Sequence, residues 1–90
     1  MIISKREFLS HTNLSEETLE IWMSQEWLLP GEMQSEAAFS DADIARAKLI
    51  KDLIDDLGVN QEGVGIILSL LDQLHSLRKA VLGKLQKGGD

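Results

Sequence analysis

The last third of the chain constrains the fold most. Ile67, Leu70, Leu74, Leu77 and Val81 recur at alternating three- and four-residue spacing, and Leu71 and Leu85 widen the stripe. That spacing marks one apolar helix face. Asn60 is a good N-cap with Glu62 in the first turn behind it, so the pattern predicts one helix from Asn60 to about Gln86. Such a helix is about 40 Å long at the usual rise per residue. The residues before it are too few to cover that length. The stripe therefore predicts a coiled-coil seam with a second copy, formed by Ile67, Leu70, Leu71, Leu74, Leu77 and Val81. With 90 residues and no cysteine, the chain is one small domain without a disulfide framework or thiolate metal site. Burial between two copies is the remaining way to enlarge the core. Residues 1–59 then read as a head, 60–87 as a dimerisation helix, and Lys87 onward as a frayed tail.

The head reads as short helices around one hairpin. Ser4-x-x-Glu7 has the form of a capping box and starts a helix over Lys5–His11, with Phe8, Leu9 and His11 toward its inner side. Thr12-Asn13-Leu14-Ser15 is a tight turn in which Asn13 can go left-handed. Ser15 caps a second helix, Glu16 and Glu17 suit the positive end of its dipole, and Leu19, Trp22, Met23 and Trp27 follow at helical spacing to about Glu26. Pro30 ends that run. Glu32 to Glu36, then Ala37-Ala38-Phe39, reads as a small β-hairpin pinned by Leu29 and Phe39. Ser40-x-x-Asp43 is a second capping box. Ile44, Ala47, Leu49, Ile50, Leu53, Ile54 and Leu57 make a strongly apolar third helix, which Gly58 stops. Gly63 and Gly65 weaken the start of the last helix or allow close packing there.

Charge narrows the function. The net charge is −6, and residues 1–39 alone carry −5. From Glu7 to Ala45 there is no lysine or arginine. Nucleic-acid affinity comes mainly from phosphates neutralised by such residues, so the head is poor material for a DNA-binding face. No apolar run reaches the ~20 residues that span a bilayer, and the N-terminus lacks a long apolar signal segment, so the expected compartment is the cytoplasm. His11 and His75 stand alone, without ligands at metal spacing. Gly63-x-Gly65 lacks the third glycine and the preceding strand of a dinucleotide motif. No nucleophile–base pattern stands out. The expectation is a protein without catalytic residues, cofactor or metal.

Helix, turn, helix, hairpin, helix and long final helix, in that order, resemble the MerR-type winged helix-turn-helix. The matching residues are Thr12-Asn13-Leu14-Ser15, Thr18-Leu19, Leu28 with Pro30, Phe39-Ser40 with Asp43-Ile44, and Leu57-Gly58-Val59. Within that group the chain is most similar to the CbpM-type chaperone modulators, through Glu16-Glu17-Thr18-Leu19 with Trp22 and Trp27, Phe39 to Arg46, Asp56-Leu57-Gly58-Val59-Asn60 with Gly63, and Leu71-Asp72. The resemblance implies a mainly α fold, with a winged head and a long C-terminal dimerising helix. It also implies binding to the J-domain of a CbpA-type, DnaJ-like co-chaperone and inhibition of its action with a DnaK-type chaperone. The alternative is a MerR-type transcription regulator on DNA. Those regulators place Arg and Tyr after the Thr-Leu pair and Arg in the wing, where this chain has Glu20, Ile21 and Ala37. They favour glycine at the end of helix two, where this chain has Glu26, and their metal-sensing loop is missing.

The candidate partner-binding residues are Glu16, Glu17, Glu20, Ile21, Trp27, Asp52, Asp55 and Asp56. The glutamates read either as a solvated face with first-turn dipole acids or as a dock for a basic protein surface, such as the basic helix of a J-domain. Asp52, Asp55 and Asp56 lie near a helix C-terminus, where acids oppose the dipole without an obvious structural return. Trp22 reads as core, and Trp27 as a half-exposed interface anchor.

Overall fold

A computed structural model describes the backbone of residues 1–88 and the side chains of residues 1–85. It is mainly helical and has the winged-helix arrangement. Strand β1 (Ile2–Ile3) is followed by α1 (Lys5–Thr12), α2 (Glu16–Ser24), β2 (Gly31–Met33), β3 (Glu36–Ser40), α3 (Asp41–Lys51) and α4 (Gln61–Gly88). The described residues fall into two compact units, Met1–Asn60 and one beginning at Gln61.

The helix starts form where short polar side chains can satisfy the first free amides. In α1 the Glu7 amide donates to Ser4 Oγ at 3.3 Å, and the Ser4 amide donates to Glu7 Oε1 at 3.4 Å. In α3 the Asp43 amide donates to Ser40 Oγ at 3.3 Å, and the Ser40 amide returns to Asp43 Oδ2 at 2.8 Å. Ser15 caps α2 by accepting from the Thr18 amide at 3.0 Å. Each such cap is worth about 1 kcal/mol.

Residues Met1–Asn60 close on a stacked aromatic pair. Phe8 on α1 and Phe39 on β3 lie with centroids 4.2 Å apart and planes 20° apart, both fully buried. Ile3, Leu19 and Trp22 from α2, Trp27, Leu28, and Ala47, Ile50 and Leu53 join this core. The sheet has the order β1-β3-β2 and is antiparallel throughout, with Ile3 opposite Phe39 and Glu32 opposite Ala37. The β2–β3 turn carries Gln34 and Ser35 at φ 53° and 65°, the positive pair that matches the twist of a two-residue hairpin.

The structure corrects several details of the sequence reading. His11 is exposed, and Thr12 takes the inner position, its hydroxyl donating to the Phe8 carbonyl at 2.8 Å. Leu29 does not pin the hairpin; its side chain is 73% exposed, and fully buried Leu28 is the residue of that pair that enters the core. The N-terminal strand β1 adds a third strand that the sequence did not suggest. The third helix is not α-helical to Leu57. From Asp52 to Asp56 it widens into a π-helical turn, with the Leu57 amide reaching the Asp52 carbonyl at 3.1 Å. Gly58, at φ 66°, then lets the Val59 amide close on the Leu53 carbonyl at 2.8 Å. Ile54 and Leu57 are exposed.

Helix α4 is 28 residues long and runs through Lys87 and Gly88, where the sequence reading placed a frayed tail; residues 89–90 lie outside the described residues. Val64 and Leu68 are buried, Ile67 and Leu71 half-buried, and Leu70, Leu74, Leu77 and Val81 exposed in the single chain.

The end of α2 has a consequence for stability. The Glu26 amide donates to the Met23 carbonyl at 3.0 Å and the Trp27 amide to the Trp22 carbonyl at 2.9 Å, a Schellman closure with Trp22 and Trp27 as its apolar contact. Glu26 occupies the left-handed position at φ 62°, where a side chain is strained and glycine is not. Glu26→Gly is expected to stabilise the protein by about 1 kcal/mol, the relief of strain exceeding the entropy glycine adds to the unfolded chain. A raised denaturant midpoint at unchanged slope is the expected result, and an unchanged or lowered midpoint would refute it.

Candidate functional site

The helix-turn-helix and the wing supply the exposed chemistry of the head. Ser15 starts α2 at the surface, so Glu16 and Glu17 project from its first turn, and Glu20 and Ile21 follow one turn on. All four are exposed, Ile21 by 49% of its surface. Leu19 and Trp22 take the opposite side into the core. The helix thus sorts its residues by period, with carboxylates and one aliphatic side chain outward.

These carboxylates already have a neighbour. Lys5 on α1 donates to Glu16 Oε1 at 2.8 Å and lies 4.0 Å from Glu20 Oε1. The hydrogen bond and the ammonium charge hold the Glu16 carboxyl below the usual glutamate range, and the hydrogen bond to Glu16 raises Lys5 above the usual lysine value. Lys5, Arg6, Leu9, Glu16, Glu36 and Ala37 line a cleft of about 700 Å3, so acids from α2 and the wing stand beside these two bases.

Two further cations hold the framework. Lys51 Nζ donates to the Thr12 carbonyl at 3.1 Å, at the end of α1, and Arg46 Nε donates to the Trp27 carbonyl just past α2. Both side chains come from α3, and both turn toward backbone that the helix-turn-helix leaves unsatisfied.

The second acidic group sits on the π turn. Asp52, Asp55 and Asp56 are exposed there. Asp55 lines a cleft of about 400 Å3 with Asn13, Ser15, Thr18, Lys51 and Ile54, which sets it beside the turn that starts α2. The structure therefore brings Asp55 near the base of the glutamate-bearing helix.

Trp27 departs from its expected role. It is 7% exposed and packs 6.3 Å from Trp22, so it is a core residue and cannot present its ring to a partner. Leu29, two residues on, and Met33 on β2 are exposed instead, at 73% and 57%, and the sequence reading placed neither in a site. For Met33 the signal was its place in a polar hairpin, where an apolar side chain has little core to enter. No helix of the described residues is long and apolar enough to cross a membrane.

The fold and these elements define a winged helix-turn-helix of the regulatory type. Residues 3–86 match the MerR HTH family regulatory protein model, and the chain belongs to that family. A comparison with curated proteins gave no match.

The Lys5 contact is directly testable. The depressed Glu16 carboxyl contributes stability that is present above the unfolded glutamate pKa and lost as pH falls through its own lower value. The raised Lys5 contributes stability that is lost only as pH climbs through its own raised value. Lys5→Met is expected to return the Glu16 titration to the ordinary glutamate range, read by NMR of the side-chain carboxyl. An unmoved midpoint would mean that the pair does not form in solution.

Proposed function

We propose that the chain is a chaperone modulator of the CbpM type, which binds the J-domain of a CbpA-type co-chaperone and thereby keeps it from a DnaK-type chaperone. The observation that carries this reading is the outward face of α2. Glu16, Glu17, Glu20 and Ile21 stand exposed on the helix that a MerR-type DNA reader would arm with basic side chains. A carboxylate facing DNA phosphate is repelled, whereas a basic protein helix is attracted to it. Asp52, Asp55 and Asp56 extend the same sign of charge to the π turn. The mechanism is competition: a J-domain that uses its basic helix to dock on a chaperone loses that surface while the modulator covers it.

The acids govern encounter, and Ile21, exposed among them, contributes to the lifetime of the complex. Trp27 has no part in this contact, because it is buried. The active species is a homodimer in which α4 pairs with its counterpart. Leu70, Leu74, Leu77 and Val81 form an exposed apolar stripe that a second copy would cover, with Ile67 and Leu71 at its margin. The protein works in the cytoplasm, where its partner chaperones act.

Two experiments test the reading. An isolated CbpA-type J-domain, titrated by calorimetry, is expected to bind saturably, with an affinity that falls as salt rises and an association rate that Glu20→Lys lowers by about tenfold. Absence of binding at low salt by folded protein would overturn the reading, and tight binding to mixed duplex DNA would replace it with the transcription-regulator alternative. Leu74→Glu is expected to shift the mass in light scattering from dimer to monomer; an unchanged dimer mass would remove α4 from the interface.

A further inference from the structure

The turn that starts α2 carries groups that neither the core nor the outward acids use. Trp22 is 5% exposed and lines the cleft of about 400 Å3 that the turn shares with the π turn. An indole N–H is a donor only, and a buried one usually finds an acceptor. The Trp22 N–H has none among the described residues. No side-chain nitrogen or oxygen described here is shut off from solvent without a partner, so this N–H keeps an opening. Thr18 lies one turn before it on α2. The Ser15 hydroxyl donates to Thr18 Oγ1 at 2.8 Å, which leaves the Thr18 hydroxyl proton free to donate elsewhere. Lys51 uses one ammonium proton on the Thr12 carbonyl and keeps two. On the same cleft, Asp55 has no ion-pair or hydrogen-bond partner among the described residues. Lys51 and Asp55 are the cation and the anion of the lining, and Leu14 and Ile54 are its aliphatic part.

We propose that this cleft is a binding site for a small zwitterion, a free α-amino acid with an aliphatic side chain. Its carboxylate takes the Trp22 N–H, the Thr18 hydroxyl and the Lys51 ammonium, at the positive end of the α2 dipole. Its ammonium takes Asp55, and its side chain lies on Leu14 and Ile54. The mixed lining selects this class of ligand. A simple anion meets Asp55, and a simple cation meets Lys51. A neutral amide or an apolar molecule leaves both charges unanswered. A zwitterion answers the two charges and the indole donor together, and the cleft has the size of a small-molecule site. Glu16 and Glu17, in the same first turn of α2, do not line it, and Glu16 is held by Lys5. The proposal goes beyond the co-chaperone reading and does not rest on it.

The test follows the Trp22 indole N–H signal by NMR in the full chain while L-leucine is added. Two half-ligands serve as controls. Isocaproate keeps the carboxylate and the side chain, and isoamylamine keeps the ammonium and the side chain. A saturable shift of the Trp22 signal is expected with leucine, and each half-ligand is expected to bind about fivefold more weakly. Asp55 is exposed, so Asp55→Asn should keep the fold. That variant is expected to lose the preference for leucine over isocaproate, a readout that a merely structural Asp55 would not move. No shift up to the solubility of leucine, or shifts elsewhere that spare the indole, would overturn the proposal. Equal binding of either half-ligand, or an unaltered preference in the variant, would overturn it as well.

Discussion

The Phe8–Phe39 stack is the contact on which the head depends. It joins the first helix of the helix-turn-helix to the central strand of the wing, and both rings are fully buried. A buried aromatic pair contributes area and about 1 kcal/mol of ring–ring attraction beyond it. With that pair in place, β3 is fixed against α1, β1 can add to its free edge, and Ser40 stands where it caps α3. The wing is thereby built into the same core as the helices, and its outward residues are held by a rigid base.

Electrostatics divides along the same lines. The cations of α3 that reach inward, Arg46 and Lys51, donate to carbonyls at the ends of the preceding helices. Lys5 lies across Glu16 and toward Glu20. These three bases thus serve the framework or sit beside acids, while α2 and the π turn show carboxylates to solvent. The MerR-family scaffold here presents carboxylates on the outward face of its second helix. The fold sets where these side chains point, and the sequence sets what they carry.

Two local departures from ideal geometry lie beside this surface. Glu26 holds a left-handed backbone at the end of α2, just before the wing. The π turn at Asp52–Asp56 carries the second acidic group and ends at Gly58. Ile54 and Leu57 on and just after this turn are exposed, and Ala47, Ile50 and Leu53 form the buried row.

The sequence by itself determined the order of the four helices and the hairpin, the two capping boxes, the left-handed Asn13, the apolar face of α4 and the acidic character of the head. These features follow from local chemistry, namely hydroxyl caps at free amides, period 3.6 in the apolar residues and the count of charges. Tertiary structure decided the rest. Trp27 is buried because the Schellman turn folds it onto Trp22, a placement that helical spacing alone does not reveal. Leu29 is outside because Leu28 fills the space beneath. The third strand needed Ile2 and Ile3 to meet Phe39 and Ser40 across a long sequence separation. The cleft beside Trp22 belongs to this second class. Its residues come from the turn before α2, from α2, from α3 and from the π turn, and only packing brings them to one place.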